Sequence, residues 1–299
     1  MNGIINVNKP IGFTSHDVVA WLRKILNTRK IGHTGTLDPD ATGVLPVCVG
    51  QATKAAELLS AKDKQYEAQV RLGAETDTQD ASGRIICSSD VAVTEEEVLR
   101  IVRSFVGEGS QIPPMYSAIK QNGKKLYELA RAGVEVERQP RKIYIHRIEV
   151  LSMDLENRSF SILVDCSKGT YIRTLCQDIG RKLGCFAHMS ALCRTRSGQF
   201  DLKNALTLEQ IEDAVQHGDS SFFIPVDQVF SDMPALYLSE RKAEKMCHGV
   251  QVSTPGMNDG VLYRVYNEKG KFLSVSRAEN GVLKLVKTFF GTENEKTGV

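Results

Sequence analysis

The sequence predicts a mixed α and β chain, with one main sheet carrying its helices and a small β-rich module after it. Three observations predict this. Short alternating or apolar runs recur along the chain, two helix starts carry complete capping boxes, and the C-terminal strands include an Asn-Gly hairpin turn. With 299 residues, 41% hydrophobic and 25% charged, the chain can bury one large core or two unequal ones.

Ile4–Asn8 alternates as a strand and closes in the Lys9-Pro10-Ile11-Gly12 turn. Thr14 or Ser15 can cap a helix in which Val18, Val19, Leu22, Ile25 and Leu26 recur at helical spacing. Val44–Val49 and Tyr66–Leu72 read as strands, and Asp77–Gly83 as a polar loop. Thr94 with Glu97 caps a helix carrying Val98, Ile101, Val102 and Phe105. Residues 111–141 change character: Pro113-Pro114 interrupts, Gly123-Lys124-Lys125 forms a basic loop, and a short helix spans Leu126–Arg131. The sheet resumes at Ile143–Leu151 and Phe160–Cys166. Ser167–Thr170 then turns into a helix through Leu183. Thr207 and Gln210 form the second capping box. Around Pro225–Pro234 the pattern loosens as at a domain boundary, so we expect domains at 1–230 and 231–299. The second holds a helix near Ser239–Cys247 and strands at Val261–Tyr266, Phe272–Arg277 and Val282–Val286, ending in a frayed polar tail.

No apolar run approaches the roughly 20 residues of a membrane-spanning helix, and the N-terminus lacks the marks of a signal peptide. The expected location is the cytoplasm. The seven cysteines are irregularly spaced and form no CxxC pair; Cys185, His188 and Cys193 are too few for structural zinc. Net charge is only +2, yet residues 113–150 carry eight Lys/Arg against four Asp/Glu, and residues 166–200 six against one. These stretches suit a polyanion such as RNA, or are simply solvated faces.

Ser15-His16-Asp17 has the residue types of a hydrolase triad, but consecutive residues cannot converge on one proton-transfer line. Gly32, Gly35 and Gly43 lack the Gly-Lys-Ser/Thr ending of a phosphate loop, so no nucleotide cofactor is indicated. In GHTGTLDPDATG (Gly32 to Gly43), Pro39 forces Asp38 away from helical angles. That carboxylate suits a nucleophile, an acid/base, a metal ligand or a plain turn. Asp38 with Asp40 would serve a glycoside or nucleoside hydrolase only if the two flanked a sugar. Arg173 falls in the first turn of a helix, where a cation opposes the dipole, so an acidic partner is expected.

Together these segments resemble the bacterial TruB family of tRNA pseudouridine synthases. The resemblance runs through NVNKPIGFTSHDVV (Asn6–Val19), GHTGTLDPDATGVLPV (Gly32–Val47), KQYEAQVRLG (Lys64–Gly73), PPMYSAIKQNGKKLYELAR (Pro113–Arg131), GTYIRTLCQDIG (Gly169–Gly180) and MSALCRTRSG (Met189–Gly198). It implies an α+β pseudouridine synthase fold around a mixed, largely antiparallel central sheet, an RNA-gripping insertion near 111–141, and a PUA-like C-terminal domain. It also implies roles: Asp38 as catalytic aspartate, Tyr66 stacked on the uracil, and Arg173 paired to Asp38, lowering its pKa. Tyr171 and Leu192 would line the uridine pocket, and His33 would lie against the RNA. The implied substrate is uridine-55 in the T loop of tRNA. No cofactor, metal, membrane or obligate protein partner is expected, and the implied state is a monomer. A binding module without catalysis remains the other reading of the residues themselves.

Overall fold

The computed structural model describes residues 1–121 and 123–290; the expected frayed tail lies outside the described residues. The first part of the chain forms β1 (Gly3–Lys9), α1 (Ser15–Ile25), β2 (Ile31–His33), β3 (Thr42–Val49), α2 (Ala56–Ser60) and β4 (Lys64–Leu72). Next come β5 (Ala74–Thr76), β6 (Ile85–Ser88), α3 (Glu95–Arg103), β7 (Gly107–Gln111), β8 (Lys120–Gln121), β9 (Lys124–Lys125) and α4 (Leu126–Arg131). They are followed by β10 (Arg141–Asp154), β11 (Ser159–Cys166), α5 (Ile172–Leu183), β12 (Ala187–Ser197), β13 (Phe200–Asp201) and α6 (Leu208–Gln216). The chain then continues through β14 (Ala235–Leu238), α7 (Glu240–Cys247), β15 (Val252–Ser253), β16 (Leu262–Asn267), β17 (Phe272–Glu279) and β18 (Val282–Thr288). No helix among the described residues is long and apolar enough to cross a membrane.

Helix starts follow their side-chain caps. Thr14, Thr94 and Thr207 each accept from the backbone N–H three residues on, and Asp17, Glu97 and Gln210 close the three boxes. The α5 helix has no such cap of its own. Gln111 supplies the contact from β7: its Oε1 accepts from the Tyr171 N–H at 2.9 Å, and its Nε2 donates to the Tyr171 carbonyl at 3.1 Å.

The main sheet runs β1-β3-β12-β4-β11-β10-β7, with β2 added to β3 and β13 to β12. Its pairings are antiparallel except β12 with β3, where only Cys193↔Thr42 and Arg194↔Gly43 are in register. One core packs α3 and α5 against β4, β10 and β11 through residues such as Val98, Ile162, Val164, Leu175 and Ile179. A second packs α1 and α6 against β1 and β3 through Val18, Leu22, Val7, Leu45 and Ile211. The site lies where these two halves meet.

The strand β12 was not expected as a strand. Two register irregularities, at Met189/Ala191 and Arg194/Arg196, break the alternation by which strands are recognised. Lys124–Lys125, expected as a loop, instead pairs with Lys120–Gln121 in a small hairpin. A second sheet, β14-β16-β17-β18-β15, holds the C-terminal strands. Its β17–β18 turn has Asn280 and Gly281 at φ 52° and 72°, the left-handed pair that two-residue hairpins favour.

Gly43 decides whether the two halves can meet. At φ +99°, an added Cβ would stand 2.3 Å from the Arg194 carbonyl oxygen. Gly43→Ala is expected to cost about 3 kcal/mol or more, from backbone strain plus the clash. Denaturant unfolding of the folded variant checks this.

Candidate active site

The loop between β2 and β3 is held on both sides of Asp38 by the start of the chain. The Ser15 hydroxyl accepts from the Leu37 N–H at 2.9 Å and donates to the Leu37 carbonyl at 3.2 Å. The Pro39 carbonyl accepts from the Gly12 N–H at 2.9 Å and from the Lys9 ammonium at 3.1 Å. Lys9 is fully buried and also donates to the carbonyls of Pro10 and Phe13. Burial pushes its pKa down to about 8, against the pull of Asp38 and Asp40. A second bond closes the turn, from the Ala41 N–H to the Asp38 carbonyl at 3.1 Å. Asp38 is therefore presented by a fixed backbone.

The expected acidic partner of Arg173 is present twice over. Arg173 Nε lies 3.2 Å from Asp38 Oδ2, and Nη1 lies 3.3 Å from Asp80 Oδ2. The remaining donors reach the carbonyls of Thr78 at 3.2 Å and Tyr116 at 2.7 Å. Gln79 ties the Asp80 loop to α5, accepting from Thr174 and donating to Gln177. Nothing in the sequence marked Asp80, which sits in a polar turn like many others. Asp40 is exposed, and the second carboxylate of the site shares a guanidinium with Asp38. The Asp38/Asp40 pair of a hydrolase is thus replaced by Asp38–Arg173–Asp80.

One expectation holds for the pair and not for the sum. Arg173 was expected to lower the pKa of Asp38. It does pull in that direction, but burial dominates, Asp80 and Asp40 add repulsion, and the net shift is upward. The Asp38 side chain still keeps 40% of its surface, so the carboxylate opens onto solvent from between protein walls.

Tyr66 and Tyr171 both feel the charge of Asp38, and burial raises both phenols above their ordinary pKa. Tyr66 stands on β4 directly opposite Arg194 of β12; Leu192, opposite Ala68, shares that face two residues away. The structure thus gathers Asp38, Tyr66, Tyr171 and Arg173, with Leu192 on the adjoining wall. His33 is set apart, its ring in an edge contact with His16 at 5.3 Å between centroids. Burial, with His16 and Arg194 adding to it, pushes His33 down to about 4, so it is neutral across ordinary working pH.

Arg194 is a site residue the sequence did not reveal. It is 1% exposed, donates Nε to the Val44 carbonyl at 2.7 Å and Nη2 to the Gly35 carbonyl at 3.2 Å. The basic excess of residues 166–200 is only in part an open surface. Arg173 and Arg194 are buried, and Arg196 is bonded to Asp165, so only Lys168, Lys182 and Arg181, itself bonded to Glu75, are exposed. Lys120, Lys124, Arg131 and Arg141 around the insertion are exposed, and Lys125 and Arg131 both lie over the Tyr127 ring.

Such an arrangement supplies two carboxylates on one fixed countercharge, with the Tyr66 and Tyr171 phenols close enough to feel the Asp38 charge. Three family profiles match consecutive stretches of the chain. "TruB family pseudouridylate synthase (N terminal domain)" matches 23–172, "tRNA pseudouridylate synthase B C-terminal domain" 173–233, and "Pseudouridine synthase II TruB, C-terminal" 234–284. The tRNA pseudouridine synthase B of Bacillus cereus (strain ATCC 10987 / NRS 248) is 44% identical, covering 99% of this chain and 100% of its own. That of Bacillus licheniformis is 44% identical, covering 96% and 97%. Among solved structures, the Cbf5-Nop10-Gar1 complex aligns with a TM-score of 0.75 at 30% identity, over 96% of this chain and 85% of that one. An H/ACA RNP bound to a substrate RNA containing 2'-deoxyuridine aligns at 0.72 and 28%, over 97% and 85%. Fold and sequence define a pseudouridine synthase, an isomerase. Within that class the chain belongs to the TruB family.

Proposed function

We propose that this enzyme isomerises uridine-55 in the T loop of tRNA to pseudouridine, with Asp38 as its catalytic carboxylate. The observation that carries this reading is the Asp38–Arg173–Asp80 array beside Tyr66 and Tyr171. A stacked uridine hides C1′, so it must leave the loop at a cost of roughly a few kcal/mol. Stacking on Tyr66, with His33 against the RNA, returns about 1–3 kcal/mol per base. Asp38 then acts in cleavage of the C1′–N1 bond; Tyr171 and Leu192 hold the freed uracil while it turns to bond through C5. Cleavage and re-bonding involve no net oxidation and no phosphate transfer, so the reaction needs no cofactor. The exposed bases of residues 111–141 grip RNA phosphates. Residues 1–230 act as the catalytic domain and 231–299 as a PUA-like RNA-binding domain. The protein works as a monomer in the cytoplasm, without an obligate protein partner.

The test is a T-stem-loop RNA tritiated at uracil C5. A synthase releases tritium and leaves pseudouridine in the strand. Free uracil would mark a hydrolase, and binding without either product a module without catalysis; each outcome would overturn the reading. The pH dependence carries a sign. Asp38 acts ionised, and its pKa is raised from 3.8, so activity falls with acid at a pH above that ordinary value. His33→Asn should leave the shape of the profile unchanged near neutral pH, where His33, pushed down to about 4, is already neutral. A single-turnover rate–pH profile of both proteins checks the prediction.

A further inference from the structure

Arg194 is among the largest fully buried side chains of the protein, and among the described residues no carboxylate is paired to it. A buried guanidinium without an acid is costly to keep. Its surroundings make the cost greater, since Lys9, Lys64 and His33 all feel its repulsion. Packing alone does not account for a charge in such a place, because an apolar side chain would fill the volume at less cost.

The geometry explains what the charge touches. Arg194 is in register with Gly43 of β3 on one side and Tyr66 of β4 on the other. Its guanidinium bonds the carbonyls of Gly35 and Val44, which stand before and after Asp38 at the two ends of the catalytic loop. Directly opposite residues of an antiparallel pair share one face, with Cβ atoms about 5 Å apart. The Arg194 charge is thus near enough to the Tyr66 phenol to favour its anionic form, against burial, which raises its pKa.

We propose that Arg194 is a positioning residue that acts on the reaction through the Tyr66 hydroxyl, holding it in place relative to the Asp38 loop. This rests on the reading of Tyr66 as the ring that meets the uracil. Arg194 touches no substrate atom; it fixes the group that does. Loop and ring come from segments distant in sequence, and one side chain sets their spacing.

The experiment is a double-mutant cycle between Arg194→Lys and Tyr66→Phe, read by single-turnover tritium release from the T-stem-loop RNA. Arg194→Lys keeps the charge but not the fork that reaches Gly35 and Val44 together beside Tyr66. Alone, it is expected to lower the maximal rate by about 10–100-fold with RNA affinity within about 3-fold. In the Tyr66→Phe background the same substitution is expected to cost less than about 3-fold, because the hydroxyl it acts on is gone. An equal loss in both backgrounds overturns the proposal and leaves Arg194 as a structural brace. If Tyr66→Phe alone releases tritium at the wild-type rate, the reading of Tyr66 fails instead. Should Arg194→Lys not fold, the arginine NMR signals of wild type and Tyr66→Phe decide. A change at Arg194 Nε–H or Nη–H supports the contact, and identical signals overturn it.

Discussion

Asp38→Asn is expected to lower single-turnover tritium release by roughly 10⁴-fold or more, the scale on which enzymes lose activity with their reacting group. RNA affinity should stay within about 3-fold, because binding is carried by phosphate contacts and stacking. Asparagine keeps the size and planarity of aspartate, and Ser15, Gly12 and Lys9 hold the loop through backbone atoms the substitution leaves alone. Arg173 keeps Asp80 as a counterion, so the variant should fold. Asp40→Asn is the control: it is exposed and acts on Asp38 only through weak repulsion. Its rate should change by less than about 3-fold. Undiminished release by Asp38→Asn would sink the assignment of the carboxylate.

Arg173→Lys has the second largest expected effect. Arg173 serves two carboxylates and two carbonyls in directions set by a planar fork. A lysine ammonium has its donors on one nitrogen and cannot satisfy all four. We expect the maximal rate to fall by about 10²–10³-fold, as when a preorganised donor is lost from an active site. Because Arg173 pulls the pKa of Asp38 down against burial, weakening it lets that pKa rise further. The acid limb of the rate–pH profile should therefore move to higher pH than in wild type. A unchanged limb with a uniformly lower rate would show that Arg173 positions the loop without tuning the carboxylate. Arg173→Met should also destabilise the fold by about 3–5 kcal/mol, since it leaves two carboxylates unpaired. Denaturant unfolding separates that loss from the kinetic one.

Local features were legible because local chemistry decides them. The three capped helices, the strand bearing Tyr66 and the Asn-Gly hairpin all formed where the spacing said. The demand of Arg173 for an acid was also readable, from its place in the first turn of α5. What could not be read depends on segments brought together from afar. Asp80 is informative only once Gln79 and Gln177 place its turn against α5. Lys9 read as the start of a turn, yet it is buried with three carbonyls around its ammonium. Arg194 was counted as surface charge because no sequence pattern says that a strand residue will face inward across two irregularities. The net direction of the Asp38 shift could not be read for the same reason. It balances a cation against burial, and burial is a property of the whole fold.

The narrow parallel contact between β3 and β12 has a consequence for the order in which the protein is made. The strands β1, β2 and β3 lie within the first 49 residues and pair with one another. The Val44 carbonyl, however, waits for a guanidinium 150 residues further along the chain. At a ribosomal pace of about 5–20 residues per second, that interval is on the order of 10–30 s. Asp38 is thus synthesised early and equipped late. A nascent chain stalled before Ala187 carries Asp38, its loop and even Arg173, but not the strand that joins the halves of the sheet. The newborn chain should accordingly be catalytically inactive until nearly two thirds of it has been translated, which ties the onset of activity to closure of the sheet.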